Sequence, residues 1–142
     1  MIPTSRVTPF LVLQFCVALL VLALASFRPG VWNTARWAGL IIAILAAIPL
    51  FVVRYQLGKS FSVTPQAREL VTHGIYSKIR NPIYVFSTLF VIGLLLALQI
   101  PRALVFVPIL IAVQLLRAHR EAKVLQDKFG NAYQEYRKKT WF

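Results

Sequence analysis

The chain has few of the residues from which disulfides and metal sites are built. It contains one cysteine, Cys16, and two histidines, His73 and His119, among 142 residues. A single cysteine excludes an intramolecular disulfide, and no cysteine or histidine cluster has the spacing of zinc ligands. We therefore expect no metal site, and we interpret both histidines as solvated or interfacial side chains.

Charged residues are also scarce. They make up 14% of the chain, whereas hydrophobic residues make up 58%; soluble domains have about 25% and about 45–50%, respectively. The apolar residues are concentrated in long runs, which indicates that the bilayer is the solvent. The length predicts one domain, an integral membrane domain over residues 1–142.

Four apolar runs predict transmembrane helices, at residues 10–27, 35–55, 83–98 and 103–116. A span needs about 20 residues, so we expect the two short runs to extend into their flanks. Pro101 lies in the turn between these two runs and suits the first turn of a helix, which predicts a tight hairpin. Pro49 and Pro108 should kink their helices. The fold class predicted is all-α and polytopic, with about four transmembrane helices and a cytoplasmic C-terminal helix.

The first apolar run has a second interpretation. Ala23-Leu24-Ala25 resembles the cleavage site of a signal peptide, which would make residues 10–27 a removable leader. The run is long for such a segment, so a transmembrane span is the preferred interpretation.

The net charge of +12 is distributed unevenly along the chain. Five Lys and Arg residues lie in residues 54–80 and seven from Arg117 onward, whereas the two opposite loops carry Arg28, Arg36 and Arg102. The positive-inside rule places both termini and the 54–81 loop in the cytoplasm. A bacterial inner membrane is the expected location, with the endoplasmic reticulum as the alternative. The basic residues suit anionic membrane lipids, and we expect no nucleic-acid partner.

Two polar segments adjoin the last two apolar runs, and polar residues beside spans indicate a functional site. In the first segment, residues 70–84, Gly74 permits a backbone turn that other residues resist. Pro82 disfavours a helix at the residue before it and can begin the third span. At the cytoplasmic mouth of that span we therefore expect the polar side chains of Arg80, Asn81 and Tyr84.

The second polar segment, residues 117–137, predicts a helix that continues beyond the last span. Arg117 and Glu121 share one helix face, and Glu121 begins an apolar stripe, so its carboxylate should face protein or ligand. Gly130 offers a helix stop, and Asn131 with Gln134 could cap a second short helix.

Each of these residues also has a purely structural interpretation. Arg80 suits a positive-inside anchor, and Glu121 suits an ion pair with Arg117. Tyr76 and Tyr84 suit interfacial anchors, which is the commoner role of tyrosines near headgroups. The joint pattern, and no single position, favours a functional site.

That joint pattern resembles a known signature. The spacing Gly74-x-Tyr76-x-x-x-Arg80-Asn81-Pro82-x-Tyr84 is similar to the Gly-x-Tyr-x-x-x-Arg-His-Pro-x-Tyr motif of the isoprenylcysteine carboxyl methyltransferase and phospholipid methyltransferase families. Residues 121–136 resemble their Glu-Glu-x-x-Leu-x-x-x-Phe-Gly-x-x-Tyr-x-x-Tyr ending, and the resemblance covers residues 58–137. The chain departs from the pattern at two positions: Asn81 replaces the histidine, and Ala122 replaces the second glutamate.

The resemblance implies an integral membrane methyltransferase that uses S-adenosylmethionine. The expected acceptor is lipidic, either the carboxylate of an isoprenylcysteine-like substrate or a phospholipid amine, and no obligate protein partner is inferred. Arg80 and Glu121 take catalytic roles, in which they would bind the carboxylate and the ammonium group of the cofactor. Tyrosine rings would lie near its sulfonium or adenine. The implied cofactor-binding residues are Gly74, Tyr76, Arg80, Asn81, Pro82, Tyr84, Arg117 and Glu121.

Two other functions stay open. An NADPH-dependent enzyme like the sterol reductases has a similar C-terminal architecture, but its motif has asparagine where Ile83 precedes Tyr84. A non-catalytic membrane scaffold or lipid-binding protein would explain Asn81 and Ala122, since asparagine cannot accept a proton at neutral pH. Binding of adenosylmethionine, of NADPH or of neither would distinguish the three.

Overall fold

The computed structural model describes residues 7–57, 70 and 72–141. Within these ranges the chain is helical, which confirms the all-α prediction, and the only β pairing is a single bridge between Ile79 and Trp141. Two 3-10 segments, Gly74–Ser77 and Pro101–Phe106, precede α3 and α4 respectively. The α-helices are α1 (Val7–Phe27), α2 (Thr34–Leu57), α3 (Pro82–Ala97), α4 (Val107–Phe129) and α5 (Asn131–Lys139).

Among the described residues, two helical stretches are long and apolar enough to cross a membrane by length and composition. They are Thr34–Gln56 and Pro101–Phe129, with mean hydropathies of 2.2 and 1.6. The apolar stretches Val12–Phe27 and Pro82–Ala97 are shorter. The four-span topology with a tight hairpin therefore stays a prediction, as does the choice between a span and a leader for the first run.

Small residues bring α2 and α3 into close contact. Gly39 and Ala43 on α2 face Ala97 and Gly93 on α3, so the two helices run antiparallel. An added Cβ on Gly93 would lie 2.5 Å from the Ala43 nitrogen, which shows that the two backbones touch. Small residues four positions apart on each helix allow this close approach. In a membrane, lipid is as apolar as the side chains, so helices associate through close packing and not through the hydrophobic effect.

A buried arginine closes the end of α1. Arg36 is 1% exposed, and its Nη2 donates hydrogen bonds to the carbonyl oxygens of Ala25, Ser26 and Arg28 at 3.0, 3.1 and 2.6 Å. Its guanidinium also lies 4.1 Å from the centre of the Trp32 ring. The last carbonyls of a helix lack intrahelical hydrogen-bond partners and carry partial negative charge. The Arg36 guanidinium supplies the missing donors and a compensating positive charge.

The same end of the molecule ties α3 to the connection between α1 and α2. Gln99 Nε2 donates to the Val31 carbonyl at 2.6 Å, and Arg28 Nη1 donates to the Leu98 carbonyl at 2.7 Å. Gln99 has a φ of 56°, an unusual value that turns the chain after α3. These contacts fix the C-terminal end of α3 at the end of the molecule opposite Tyr84.

The fourth apolar run differs from its prediction at its N-terminal end. Residues Pro101–Phe106 wind as a 3-10 segment, so Pro108 lies in the first turn of α4, where it removes no helix hydrogen bond; the kink predicted there is wrong. Pro49 does lie inside α2. The helix continues past residue 116 to Phe129, which confirms the predicted helix beyond the fourth run; no glycine or proline interrupts it before Gly130. Gly130 is the N-cap of α5, so the capping role predicted for Asn131 is also wrong. The first part of the family resemblance, residues 58–69, lies outside the described residues.

Candidate functional site

The first element of the site is a glycine turn that contacts the last turn of α2. Gly74 has a φ of 62°, which confirms the predicted turn, and it starts the 3-10 segment Gly74–Ser77. The Ile75 amide donates to Gln56 Oε1 at 3.0 Å, so the last turns of α2 hold this segment. Tyr76 is consequently buried. A side chain at position 74 would collide with Gln56.

The start of α3 follows the local rules predicted for Asn81 and Pro82. Asn81 is the N-cap with a non-helical backbone, and Pro82 occupies the first turn and is buried. The backbone amides of Tyr84 and Val85 donate to the Asn81 carbonyl at 3.2 and 3.4 Å. This entry fixes Tyr84 on the first turn of α3.

The central contact of the site joins Tyr84 to α4. The Tyr84 hydroxyl donates a hydrogen bond to Glu121 Oε1 at 2.5 Å. The Arg117 guanidinium carbon lies 5.9 Å from the centre of the Tyr84 ring. All three side chains are half-buried. Glu121 thus faces protein, as its apolar stripe predicts. The Tyr84 side chain contacts a carboxylate and a guanidinium that lie on consecutive turns of α4.

The C-terminal helix folds back over the first polar segment. Tyr133 and Tyr136 of α5 are buried, and the Tyr136 hydroxyl donates to the Tyr76 carbonyl at 2.8 Å. Beyond α5, the Trp141 amide donates to the Lys78 carbonyl at 3.1 Å, and the Arg80 amide donates to the Trp141 carbonyl at 3.2 Å. We call residues 131–141 the C-terminal flap.

Burial keeps the tyrosines of the site neutral. It raises the pKa of Tyr136 to about 12, and the nearby Arg80 guanidinium opposes this shift. Burial also raises the pKa of Tyr133 and of Tyr76, and the Glu121 carboxylate adds to the shift at both. At neutral pH these hydroxyls are therefore hydrogen-bond donors and not bases.

The structure thus sorts the predicted site residues into three groups. Tyr84, Arg117 and Glu121 meet directly. Tyr76 and Arg80 lie beneath the C-terminal flap, close enough to its tyrosines to influence their ionisation. The remaining three residues determine the backbone conformation before and at the start of α3, and so position the other side chains: Gly74, Asn81 and Pro82. In the part of the chain that the structure describes, no cluster of three or more potential metal ligands occurs.

Sequence reasoning missed Arg54 as a neighbour of the site. This arginine is 6% exposed, near the end of α2, and its charge lowers the pKa of Tyr76 against the larger effect of burial. Its Nε and Nη2 donate to Gln14 Oε1 on α1 at 3.0 and 2.6 Å. A polar residue in each of two apolar runs was the available signal, since such residues pair within a membrane protein.

An open groove adjoins the glycine turn. Its volume is about 550 Å³, and its walls are mostly apolar. It is lined by Phe51, Val52, Tyr55, Gln56 and His73.

The comparisons with known proteins identify a family. A family model described as phospholipid methyltransferase matches residues 34–132. The match extends from the start of α2 to the start of α5 and includes both Tyr84 and Glu121. Comparison with curated proteins and with solved structures finds no match.

Proposed function

Because the chain belongs to the phospholipid methyltransferase family, we propose that it transfers a methyl group from S-adenosylmethionine to a lipidic acceptor. The observation that carries the proposal is the hydrogen bond from Tyr84 to Glu121, which joins the two polar segments of the sequence. An acid, two arginines and several neutral tyrosines then lie around one contact between α3 and α4. No observation favours an NADPH-dependent reductase or a non-catalytic scaffold over this function.

The side chains of the site match the chemistry of the cofactor. S-adenosylmethionine carries a carboxylate, an ammonium group, a sulfonium and an adenine. Arg80 would bind the carboxylate through a charge-assisted hydrogen bond, and Glu121 would bind the ammonium group. The faces of the tyrosine rings suit a sulfonium or an adenine, because an aromatic face attracts cations and stacks on planar rings. The donors, the acceptor and the aromatic surfaces present therefore fit the group.

The two departures from the family pattern limit what the site residues do. Asn81 can donate and accept hydrogen bonds but cannot take a proton at neutral pH. Ala122 leaves Glu121 as the one carboxylate of the expected pair. We propose that Asn81 orients a bound group through its amide, and that Glu121 alone balances the positive charge of the amino group.

The cofactor supplies an electrophilic methyl group, so the task of the chain is alignment and exclusion of water. Arg80 and Glu121 would hold the two charged ends, while Tyr84 fixes the direction of the Glu121 carboxylate. Tyr133 and Tyr136 of the C-terminal flap are buried, and we propose that the flap excludes water from the site. A carboxylate acceptor would need no base, whereas an amine acceptor would first have to lose a proton.

We propose that the acceptor reaches the site from the membrane. The site lies where α2 ends and α3 begins, and the sequence between these helices is rich in basic residues, so the charge distribution favours a cytoplasmic location. A bacterial inner membrane fits this arrangement. The family favours a phospholipid amine over an isoprenylcysteine-like carboxylate as the acceptor, and the proposal involves neither nucleic acid nor an obligate protein partner.

Calorimetric titration of the detergent-purified protein with S-adenosylhomocysteine tests the proposal, with NADPH as a separate ligand. Glu121→Gln and Arg80→Gln should each weaken binding of the homocysteine product about 10- to 100-fold, because each removes a charge-assisted contact. Glu135→Gln and Arg102→Gln are matched controls, since both side chains are exposed. Absence of saturable binding, or equal binding by the Glu121→Gln protein, would refute the proposed site.

A further inference from the structure

A group of polar side chains lies between α3 and α4, inside the apolar part of both helices. Thr88 Oγ1 donates to Gln114 Oε1 at 2.7 Å, and Gln114 Nε2 donates to Ser87 Oγ at 3.1 Å. Both ends of the Gln114 amide are therefore engaged within the chain. Polar groups at such positions are expensive to keep and indicate a role in function.

This group is connected to the candidate site. Ser87 Oγ donates to the Tyr84 carbonyl at 3.2 Å, and the Tyr84 side chain in turn donates to Glu121. Gln114 precedes Glu121 by seven residues, about two turns, so both lie on one face of α4. Ser87 and Thr88 follow Tyr84 by about one turn of α3. The two sets of hydrogen bonds thus lie along one line of contact between the helices.

Apolar packing alone cannot fix α4 in this position. Only 11% of its apolar stretch is buried, and Val113, Leu115 and Leu116 beside Gln114 are exposed. In a bilayer, lipid replaces such contacts at little loss, so apolar residues specify the register between helices weakly. A single buried polar residue can specify it, because a shift leaves the polar group without a partner. A slide of one residue would turn α4 by about 100° and break both sets together.

We propose that Gln114, through Ser87 and Thr88, is a positioning residue that sets the register of α4 against α3 and so holds Glu121 against Tyr84. The inference rests on the proposed function, in which Glu121 binds the cofactor. A direct ligand role for Gln114 is disfavoured, because both ends of its amide already have partners in the chain.

The test measures the coupling between Tyr84 and Glu121 with and without Gln114. A double-mutant cycle of Tyr84→Phe and Glu121→Gln, read by the free energy of unfolding in detergent, gives that coupling. We expect it to fall by more than half in the Gln114→Leu background. It should be unchanged in the Gln134→Leu background, where the glutamine is exposed on α5. A merely structural role would lower overall stability and leave the coupling intact.

A second measurement links the register to ligand affinity. Gln114→Leu should weaken binding of S-adenosylhomocysteine about tenfold, whereas Gln134→Leu should not. If Gln114→Leu does not fold, Ser87→Ala replaces it, with Ser26→Ala as control because Ser26 Oγ also bonds a carbonyl of its own helix, that of Leu22, at 2.8 Å.

The outcomes separate this inference from the proposed function. Unchanged coupling between Tyr84 and Glu121 in the Gln114→Leu background overturns the inference. If the unmodified protein binds S-adenosylhomocysteine, reduced coupling with unchanged affinity in Gln114→Leu also overturns it. Reduced coupling together with reduced affinity supports it. If the unmodified protein binds no S-adenosylhomocysteine, the proposed function fails, and the coupling cycle alone still decides whether Gln114 sets the register.

Discussion

The contact between α2 and α3 predicts that one methyl group at position 93 forces the two helices apart. An added Cβ on Gly93 would lie 2.5 Å from the Ala43 nitrogen, 2.7 Å from the Gly39 oxygen and 3.0 Å from the Ala43 Cα. Ordinary contacts begin at 3.4 Å, so the helices must separate by about 0.9 Å. All three atoms belong to the backbone, and no side-chain rotation can relieve the collision.

The sign of the effect distinguishes packing from helix propensity. Glycine to alanine inside a helix stabilises by about 1 kcal/mol when nothing else changes. Overpacking a close contact costs about 1–3 kcal/mol, and a collision with backbone lies at the upper end. We therefore expect Gly93→Ala to lower the free energy of unfolding by about 2 kcal/mol. At about 3 °C per kcal/mol for a chain of this size, Tm should fall by about 6 °C.

Thermal unfolding of the detergent-purified protein, followed by circular dichroism, measures this change. Ala112→Gly on the exposed side of α4 is the control for helix propensity alone, with an expected loss of about 1 kcal/mol. A Gly93→Ala protein as stable as the unmodified chain, or more stable, would show that the two backbones do not touch.

Three further predictions concern the tyrosines and the buried arginine. Stability should fall as pH rises from about 10 to about 12: in the unfolded chain a tyrosine loses its proton near pH 10, whereas folded Tyr136 keeps its proton to about 12. Melting curves at pH 9 and 11 test this, and a higher Tm at pH 11 would contradict it. Arg36→Lys should destabilise by about 2 kcal/mol, because an ammonium group cannot reach the same carbonyls, whereas Arg102→Lys at an exposed site should leave the Tm unchanged. Tyr136→Phe leaves the Tyr76 carbonyl without its donor and should cost about 1–3 kcal/mol, with faster proteolysis of the C-terminal flap; the exposed Tyr55→Phe is its control, and equal cleavage of both proteins would argue against the contact.

Features governed by local backbone preference could be predicted from the sequence. Gly74 and Gly130 adopt the positive φ values that glycine favours, and Pro82 begins α3 as a proline at a first turn should. The family was predictable from the joint spacing of the two polar segments, and the match over residues 34–132 confirms it.

Contacts between distant parts of the chain do not follow from local backbone preference. The bridge from Trp141 to Lys78 and Arg80 uses backbone atoms, which every residue carries, so no residue type indicates it. The pairing of Gln14 with Arg54 depends on how α1 lies against α2, which apolar periodicity does not determine. The site residues and the acceptor stay predictions, because ligand binding depends on chemistry outside the chain.

The burial of Arg36 against carbonyl oxygens reduces the number of cations that the end of the molecule near Arg28 presents to its surroundings. A sequence count gives that end three arginines, but Arg36 is enclosed; Arg28 is exposed, although it donates to the Leu98 carbonyl. The end of α1 thus encloses one positive charge that a count along the chain assigns to the surface. Anionic groups at that end of the molecule therefore meet the exposed side chains of Arg28 and Arg102, and the enclosed Arg36 takes no part in binding them.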